Sequence, residues 1–331
     1  MNFIKDKKIH LEKIDGYMLR GRNFYSSIEH YREETWKKLN TTIVKGDSHQ
    51  CPLCGEDVKK NILEWKSIYK LRECEKCGSV SPNVDFNDVE KHLESVYEST
   101  DYSEKFSREI HKQFDYRKHK FGKARFDYIS NYLNDISNSI VLDLGCGAGY
   151  FLSVLKDNGV MYKGLEVTPG LVNYCRNEQG LNVSNNNLYE ENSNTYDVIT
   201  MFDVIEHLTH PVETFNQIND KLKDKGYCIA YTPNLYSVGY ELMRDKQNTL
   251  LPFEHLCFYS KESIKYLADK TGFEVVNIQT YGLDILDYFM LKEFEHKQDY
   301  VEKFDDLITL IQGVIDSQGI ANHFRIVFRK K

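Results

Sequence analysis

A glycine-rich stretch at residues 141–152 constrains this chain more than any other part of its sequence. The apolar run Val141–Leu144 is typical of a buried strand, three glycines follow at alternate positions, and an apolar helical pattern begins at Tyr150. The stretch therefore predicts a strand, a tight loop and a helix N-terminus. A loop without Cβ atoms lets a ligand lie against the backbone, and the start of the helix offers free N–H groups.

The glycine spacing and the residue before the loop restrict the ligand. Gly145, Gly147 and Gly149 form G-x-G-x-G, which differs from the G-x-G-x-x-G of dinucleotide-binding folds. Asp143 precedes them, and its carboxylate would repel a pyrophosphate but attract a cationic or zwitterionic group. S-adenosylmethionine (SAM), a nucleoside with a positive group and no phosphate, meets both conditions. An ordinary tight turn is the alternative interpretation of the loop alone.

An alternation of strands and helices surrounds the loop. The pattern predicts strands at residues 140–144, 162–167, 181–184, 196–202, 226–232, 273–280 and 323–329. It is typical of an α/β fold with a mostly parallel sheet and helices on both faces. Such sheets bind ligands at the carboxyl ends of their strands, where the chain order reverses.

Two C-x-x-C pairs precede this pattern, Cys51 with Cys54 and Cys74 with Cys77. Nineteen residues separate the pairs, and a glycine follows each pair, which lets the backbone turn back toward a metal. The spacing predicts a four-thiolate zinc ribbon. Because four protein ligands leave no open coordination position, the expected role of the zinc is structural. Two redox-active C-x-x-C units are the alternative interpretation.

Charge and cysteine usage narrow the class of protein. The formal net charge of −7 argues against a nucleic-acid partner, because phosphate-binding surfaces are usually basic. The sequence has no run of about 18 apolar residues that would cross a membrane and no signal-peptide core at its start. We therefore expect a cytoplasmic protein with no membrane partner. The remaining cysteines are expected to be packing residues, at positions Cys146, Cys175, Cys228 and Cys257.

The sequence divides into four predicted parts. We expect a helical segment at 1–48, a zinc-ribbon module at 49–85, a helical linker at 86–135, and an α/β domain at 136–331 with insertions at about 235–256 and 283–319. The insertions are interpreted as a lid over a substrate site or, alternatively, as packing extensions or a dimer surface.

A charged, aromatic-rich stretch, residues 106–132, leads into the α/β domain. Its apolar residues recur at helical spacing, which predicts one or two amphipathic helices. A basic cluster within it is interpreted as a solvated helix face or, alternatively, as an anion-binding patch; the cluster is Arg117, Lys118, His119, Lys120, Lys123 and Arg125.

Several motifs together resemble those of class I SAM-dependent methyltransferases. They are Val141–Gly149, Gly164–Glu166, Tyr196–Ile199, Asp203–Leu208 with Pro211, Tyr231–Asn234 and His255–Phe273. The resemblance covers about residues 120–330 and implies a Rossmann-like, seven-stranded sheet whose last strand is antiparallel. The two C-x-x-C pairs are similar to those of deoxysugar C-methyltransferases. Those enzymes have a further large C-terminal domain, for which this sequence is too short, so that likeness is partial.

The expected SAM contacts lie at successive strand ends. Glu166, after the second strand, can accept both ribose hydroxyls of a nucleoside in bidentate fashion. Asp143 and the backbone of Gly145, Gly147 and Gly149 are expected to hold the methionine part. The remaining expected contacts are Asn187 and Leu188 near the adenine, and Phe202 and Asp203 along the same cleft.

Catalysis of methyl transfer needs an aligned acceptor and a group that removes its proton. His207 is the preferred candidate base, since it follows the fourth strand and its pKa suits the task near neutrality. Glu206 would orient it or hold a metal, and His255 is the second candidate. In the resembling deoxysugar enzymes the histidine of this pair is the proposed base. Structural hydrogen bonding is the alternative role for both histidines.

The pattern Asp203, Glu206, His207 also parallels that of quinone-pathway O-methyltransferases, where it can bind a divalent cation. The sequence favours a biosynthetic SAM-dependent methyltransferase acting on a small molecule, with a hydroxyl of a sugar or secondary metabolite as acceptor. The alternatives are a nucleotide-sugar C-methyltransferase, an rRNA or tRNA methyltransferase, and a SAM-binding protein without catalysis. The acceptor atom, a second divalent metal and a homodimer stay open at this point.

Overall fold

The computed structural model describes residues 13–41, 43–44, 48–97 and 113–331, together with residues 11 and 46. The chain divides into two compact units. The first contains residues up to 85, 232–262 and 278–325, and the second contains residues 86–231, 263–277 and 326–331. No helix within these described ranges is long and apolar enough to span a bilayer. The predicted domain boundaries stay predictions.

The elements follow one another in chain order. The strands are β1 (His49–Gln50), β2 (Asp57–Val58), β3 (Lys60–Trp65), β4 (Tyr69–Glu73), β5 (Val80–Pro82), β6 (Ile140–Leu144), β7 (Met161–Leu165), β8 (Val183–Ser184), β9 (Tyr196–Phe202), β10 (Leu222–Pro233), β11 (Phe273–Tyr281) and β12 (His323–Lys330). The helices are α1 (Gly16–Arg20), α2 (Phe24–Leu39), α3 (Phe86–Tyr97), α4 (Lys123–Ser130), α5 (Tyr150–Asp157), α6 (Pro169–Asn177), α7 (Pro211–Lys221), α8 (Val238–Met243), α9 (Lys261–Lys270), α10 (Asp284–His296), α11 (Tyr300–Lys303) and α12 (Asp305–Gln318).

A seven-stranded sheet, most of whose residues belong to the second unit, has the order β11-β12-β10-β9-β6-β7-β8. The ladders from β10 through β9, β6 and β7 to β8 are parallel. The end of β10 meets the start of β12, because Asn234 N donates to Asn322 O at 2.8 Å. The start of β10 meets the end of β12, because Lys330 Nζ donates to Leu222 O at 2.8 Å. The last strand is therefore antiparallel to β10, and the predicted fold class is confirmed.

Burial explains why the central strands are continuous apolar runs. Val141, Leu142, Val198 and Ile199 are fully buried, as expected for parallel strands with helices on both faces. At the other end of the sheet, aromatic rings hold α7 against β11 and β12. The centroid distances are 5.9 Å between Phe215 and Phe273, 5.2 Å between Phe215 and Phe328, and 6.1 Å between Phe273 and Phe328.

The helix that leads into the sheet differs from a regular amphipathic helix. A π-helical turn spans Lys118–Gly122, directly before α4. A Cβ on Gly122 would lie 2.9 Å from Tyr150 O and 2.9 Å from Val154 Cγ2, so the turn ends where the backbone packs closely against α5. Of the apolar positions in the predicted amphipathic stretch, Phe106 and Ile110 lie outside the described residues.

The first unit contains the four-cysteine segment, defined as residues 49–85. Strands β3, β4 and β5 form an antiparallel sheet, and β1 pairs with β2. Val80 and Phe258 exchange backbone hydrogen bonds of 2.9 and 2.8 Å, so Phe258, just after the predicted first insertion, pairs with β5 in an antiparallel bridge. Trp65 and Tyr69 of the hairpin pack edge to face, and Phe253 lies on Tyr69 with a centroid distance of 5.3 Å.

The two insertions share a buried polar network around Asp284. Its carboxylate accepts hydrogen bonds from Gly239 N at 2.7 Å, Asn322 N at 3.0 Å and Gln312 Nε2 at 3.1 Å. Asn322 Oδ1 in turn accepts from Leu283 N at 3.1 Å. Asp284 and Asn322 are both fully buried, so these bonds fix the start of α10 against α8 and α12.

Gly282 tests this network. A Cβ at this position would lie 2.0 Å from Asn322 Oδ1 and 2.8 Å from Asp284 Oδ2, whereas a Cβ on Gly46 meets no described atom within 4 Å. We expect Gly282→Ala to lower the free energy of unfolding by about 1–3 kcal/mol, because Asn322 is buried and must give up a hydrogen bond to move. Gly46→Ala should stay within about 0.5 kcal/mol.

The measurement is urea unfolding followed by tryptophan fluorescence. The chain has two tryptophans, Trp36 and Trp65, and both belong to the first unit. Equal destabilisation by the two glycine variants would contradict the proposal that the hydrogen bonds around Asp284 stabilise the fold.

Candidate functional site

The glycine loop connects β6 to α5 in the second unit. Gly145 N and Cys146 N both donate to Leu165 O, at 2.8 and 3.1 Å, which ties the loop to the end of β7. Gly149 is left-handed, with φ of 78°, and its carbonyl accepts the N–H of Ser153 at 2.8 Å. The predicted strand, loop and helix N-terminus are therefore present.

The three glycines serve different purposes. A Cβ on Gly145 would lie 2.6 Å from Val204 Cγ2, and one on Gly149 would lie 2.5 Å from Leu181 Cδ1, so both are needed for internal packing. Gly147 has φ of 54°, and a Cβ there would meet no described atom within 4 Å. The space above Gly147 is thus open on the protein side.

Asp143 is a buried carboxylate at the end of β6. It lies opposite Thr200 in the parallel ladder with β9, and Thr200 Oγ1 donates to its Oδ1 at 2.6 Å. The pKa of Asp143 is raised to about 7, because burial and the charge of Glu166 outweigh the Thr200 hydrogen bond and the charge of Arg125, which lower it. Its protonation state is therefore set by a few neighbours in the same site.

Glu166 follows β7 and faces the loop from the neighbouring strand. Its Oε2 accepts Gly147 N at 2.8 Å and its Oε1 accepts Thr168 N at 2.9 Å. The side chain is buried, with 7% of its surface exposed. It thus holds the glycine loop in place, and its predicted contact with a ribose stays a prediction.

Arg125 is the residue of this site that the sequence interpretation missed. The solvated-face interpretation of the basic cluster is wrong for this member, because Arg125 is 7% exposed. Its guanidinium lies 4.1 Å from the Phe202 ring centroid and donates to Tyr150 Oη at 2.9 Å and to Asp203 Oδ2 at 3.4 Å. The sequence feature that could have identified Arg125 as buried is its spacing from Tyr128 and Ile129. Both of these residues are buried, and the spacing puts all three on one helix face.

Phe202 and Asp203 end β9 at the same edge of the sheet. Phe202 packs edge to face between Phe151 and Tyr231, with centroid distances of 5.2 and 4.8 Å. Asp203 adopts φ of 60°, and its N–H donates to Tyr231 O at 3.0 Å. The structure thus brings these two predicted residues to the side of the guanidinium of Arg125.

The segment predicted to face an adenine forms a short 3-10 helix, Leu188–Glu190, after β8. Asn187 caps it, and its own N–H donates to Glu190 Oε2 at 3.1 Å. Leu188 is buried, whereas Asn187 is exposed. Their predicted contact with a cofactor stays a prediction.

The predicted catalytic residues lie in different units. Glu206 and His207 share a 3-10 turn, Ile205–His207, directly after β9, where Glu206 is fully buried and His207 is half-buried. His255 belongs to the first unit, where it is buried and its Nδ1 lies 2.6 Å from Thr249 O. Because a carbonyl only accepts, Nδ1 of His255 carries the proton in this hydrogen bond.

The four cysteines of the C-x-x-C pairs converge in the first unit. All four sulfurs lie within 4.8 Å of one another, with 3.6 Å between Cys51 and Cys77 and 3.4 Å between Cys54 and Cys74. Zn–S bonds of about 2.3 Å in a tetrahedron require sulfurs roughly 3.8 Å apart, so the donor set fits a zinc ion. The hydroxyl of the buried Ser79 lies 3.1 Å from the sulfurs of Cys51 and Cys77.

The cysteines outside this cluster are Cys146, Cys175, Cys228 and Cys257. All four are buried, in agreement with their interpretation as packing residues. Burial raises the pKa of the Cys228 and Cys257 thiols, which keeps them in the unreactive thiol form.

The region that contains the glycine loop is similar to known proteins. Residues 116–278 match a family model described as a methyltransferase domain. Two curated relatives are ubiquinone biosynthesis O-methyltransferases. The one from Histophilus somni is 26% identical over 35% of this chain and 54% of its own length, and the one from Rickettsia bellii is 28% identical over 38% and 56%. The chain thus spans about half the length of these relatives.

One solved structure to which this chain is similar is a SAM-dependent methyltransferase from Archaeoglobus fulgidus. It is 20% identical, covers 64% of this chain and 94% of its own, and has a TM-score of 0.46. The family match confirms, for residues 116–278, the methyltransferase domain that the sequence motifs predicted.

Proposed function

We propose that this chain, in which residues 116–278 match a methyltransferase domain, transfers a methyl group from SAM to a hydroxyl of a small-molecule acceptor. The observation that carries the proposal is the open space above Gly147, at a loop flanked by a buried carboxylate and a buried guanidinium. All of these groups belong to the second unit.

The charges of this site suit the methionine part of SAM, which is a zwitterion. Asp143 Oδ1 is occupied by Thr200, while its Oδ2 accepts no hydrogen bond from a described residue and is assigned to the ammonium group. Arg125 supplies the opposite charge and is assigned to the carboxylate. The backbone of Gly145, Gly147 and Gly149 is assigned to the methionine part between these two charged groups.

The nucleoside part is assigned to the neighbouring strand ends. Glu166 already accepts two backbone N–H groups, but an ionised carboxylate has about four acceptor positions, which leaves capacity for ribose hydroxyls. Asn187 and Leu188 are assigned to the adenine, and Phe202 and Asp203 to the wall of the cleft.

When bound, SAM supplies a methyl group on a sulfonium leaving group. The chain then has to align the acceptor and remove its proton, and we assign the second task to His207. Glu206, buried beside it in the same turn, would orient its ring or hold a divalent cation. His255, whose Nδ1 donates to Thr249 O, is the second candidate base.

The acceptor class is inferred from two features. The curated relatives are named O-methyltransferases, which favours a hydroxyl over carbon or nitrogen. The four-cysteine segment favours a sugar or secondary metabolite, with nucleotide-sugar C-methylation as the alternative. The net charge of −7 disfavours an RNA acceptor. A SAM-binding protein without catalysis is the outcome if turnover is absent with every acceptor.

The metal proposal is a structural zinc ion held by Cys51, Cys54, Cys74 and Cys77. The four sulfurs are already gathered within 4.8 Å, and the N–H groups of Gly55 and Gly78 donate to Cys51 O and Cys74 O at 2.9 and 2.8 Å, which shapes both turns. With four thiolates there is no open position for a substrate.

Cofactor binding is tested by two glycine variants with matched strain. Gly147 and Gly159 both have positive φ, and a Cβ on either would meet no described atom within 4 Å. Each alanine variant should lose about 1–2 kcal/mol of stability from the left-handed backbone. We expect Gly147→Ala to weaken SAM binding at least tenfold, because its Cβ enters the space assigned to the ligand, while Gly159→Ala binds normally.

Isothermal titration with SAM measures both variants against the unmodified chain. Equal affinity of Gly147→Ala and Gly159→Ala would place the cofactor elsewhere.

The assignment of His207 is tested with the neighbouring, exposed His210 as control. We expect His207→Ala to keep SAM binding and to lower kcat by roughly 10²–10⁴-fold, the usual contribution of a general base. The assay follows formation of S-adenosylhomocysteine with a panel of phenols, deoxysugars and nucleotide sugars. Unchanged turnover in His207→Ala, or an equal loss in His210→Ala, would remove His207 from this role.

Metal analysis tests the zinc proposal. We expect about one zinc per purified chain, and a loss of that zinc in Cys74→Ser but not in Cys228→Ala, whose thiol is buried outside the cluster. Loss of zinc should also lower the unfolding temperature seen by tryptophan fluorescence. A metal-free chain with disulfides between the C-x-x-C cysteines would favour the redox interpretation.

A further inference from the structure

We infer that Thr200 is a positioning residue of the cofactor site, whose hydroxyl holds Asp143 in the orientation and the charge state that the ammonium group of SAM requires. The inference rests on the proposed function and deepens it. Neither the motif resemblance nor the family match assigns a role to this position in β9.

The geometry begins with the sheet register. Thr200 lies directly opposite Asp143 in the parallel ladder between β9 and β6, and both side chains are at most 2% exposed. Its Oγ1 is 2.6 Å from Asp143 Oδ1 and 3.4 Å from Leu142 O. A hydroxyl has one proton to donate, and the shorter distance and the acidic acceptor assign it to Asp143.

A threonine is unexpected at this point of a buried strand. Its neighbours in β9, Ile199 and Met201, are fully buried and apolar. A buried hydroxyl costs free energy unless it is hydrogen-bonded, and Asp143 is the acceptor that satisfies the Thr200 hydroxyl, at 2.6 Å. The branched Cβ also restricts rotation of the side chain, so the donor is fixed in advance. Oδ1 is thereby engaged, and Oδ2 is the oxygen that we assign to the ammonium group.

Charged and titratable groups face Asp143 from each surrounding element. Arg125 faces it from α4, Glu166 from the end of β7, and Cys146 from the glycine loop. Burial and Glu166 raise the pKa of Asp143, while Thr200 and Arg125 lower it, and the result is about 7. Removing the hydroxyl takes away a group that lowers this pKa, so a larger share of Asp143 is protonated at neutral pH.

The affinity for SAM is expected to depend on pH through the charge of Asp143. Ionised Asp143 attracts an ammonium group and protonated Asp143 does not, so SAM affinity should rise with pH through the pKa of Asp143. In Thr200→Val this rise should be displaced to higher pH. Thr200→Ser keeps the hydroxyl and should retain the profile of the unmodified chain.

The experiment measures Kd for SAM by isothermal titration between pH 6 and 7.5, with the full chain. We expect Thr200→Val to bind about tenfold more weakly at pH 7, with a gap that narrows as pH rises, and Thr200→Ser to bind within about twofold. Thr271→Val is the control, since Thr271 is also buried and its hydroxyl donates to Leu267 O at 2.7 Å. It should leave the pH profile unchanged.

Thr200→Ala removes the same hydroxyl with less steric demand and replaces the valine variant if that one does not fold. Carboxyl-carbon NMR of Asp143 gives a second readout, in which both variants should titrate at higher pH than the unmodified chain. An unmodified chain that fails to bind SAM overturns the proposed function and this inference together. Normal SAM binding by the unmodified chain, with an unchanged Kd and pH profile in Thr200→Val or Thr200→Ala, overturns this inference alone.

Discussion

Parallel pairing of β6 with β9 on one side and β7 on the other is the interaction on which the candidate cofactor site depends. The ladders align three strand ends, so Asp143, Glu166 and Asp203 reach one edge of the sheet although they are far apart in sequence. Side chains alternate between the faces of a strand, and a register shift of one residue would turn Asp143 to the opposite face. The apolar residues of β6 and β9 fix that register because both faces of the sheet are buried.

Two buried carboxyl groups and one buried guanidinium lie at that edge of the sheet, and their charges restrict which ligands suit it. Asp143 and Glu166 are buried near the buried guanidinium of Arg125, which also lies on Phe202. Buried charges are costly unless they are paired or hydrogen-bonded, and here backbone N–H groups, a threonine hydroxyl and one arginine share that task. A ligand with both an ammonium and a carboxylate complements this arrangement better than a purely anionic one does.

The sequence predicted those parts of the site that local patterns encode. The glycine spacing with Asp143 predicted the loop, the alternation predicted the sheet, and the C-x-x-C spacing predicted the sulfur cluster. Arg125 and Thr200 could not be assigned in this way. Arg125 sits in a run of lysines and arginines, and only packing distinguishes the buried member from the solvated ones. Thr200 acquires its partner through register with a strand 57 residues away, which no local pattern specifies.

Val80 and Phe258 exchange backbone hydrogen bonds, and this pairing limits how the four-cysteine segment can be removed or transferred. If β5 were removed, the backbone groups of Phe258 that pair with Val80 would lose their partners. An unpaired strand edge of this kind is a site for aggregation. The four-cysteine segment therefore cannot be exchanged independently of the residues around Phe258. Its acquisition or loss during descent would require matching changes in residues 250–260, and a transplant of the segment would need to carry that stretch with it.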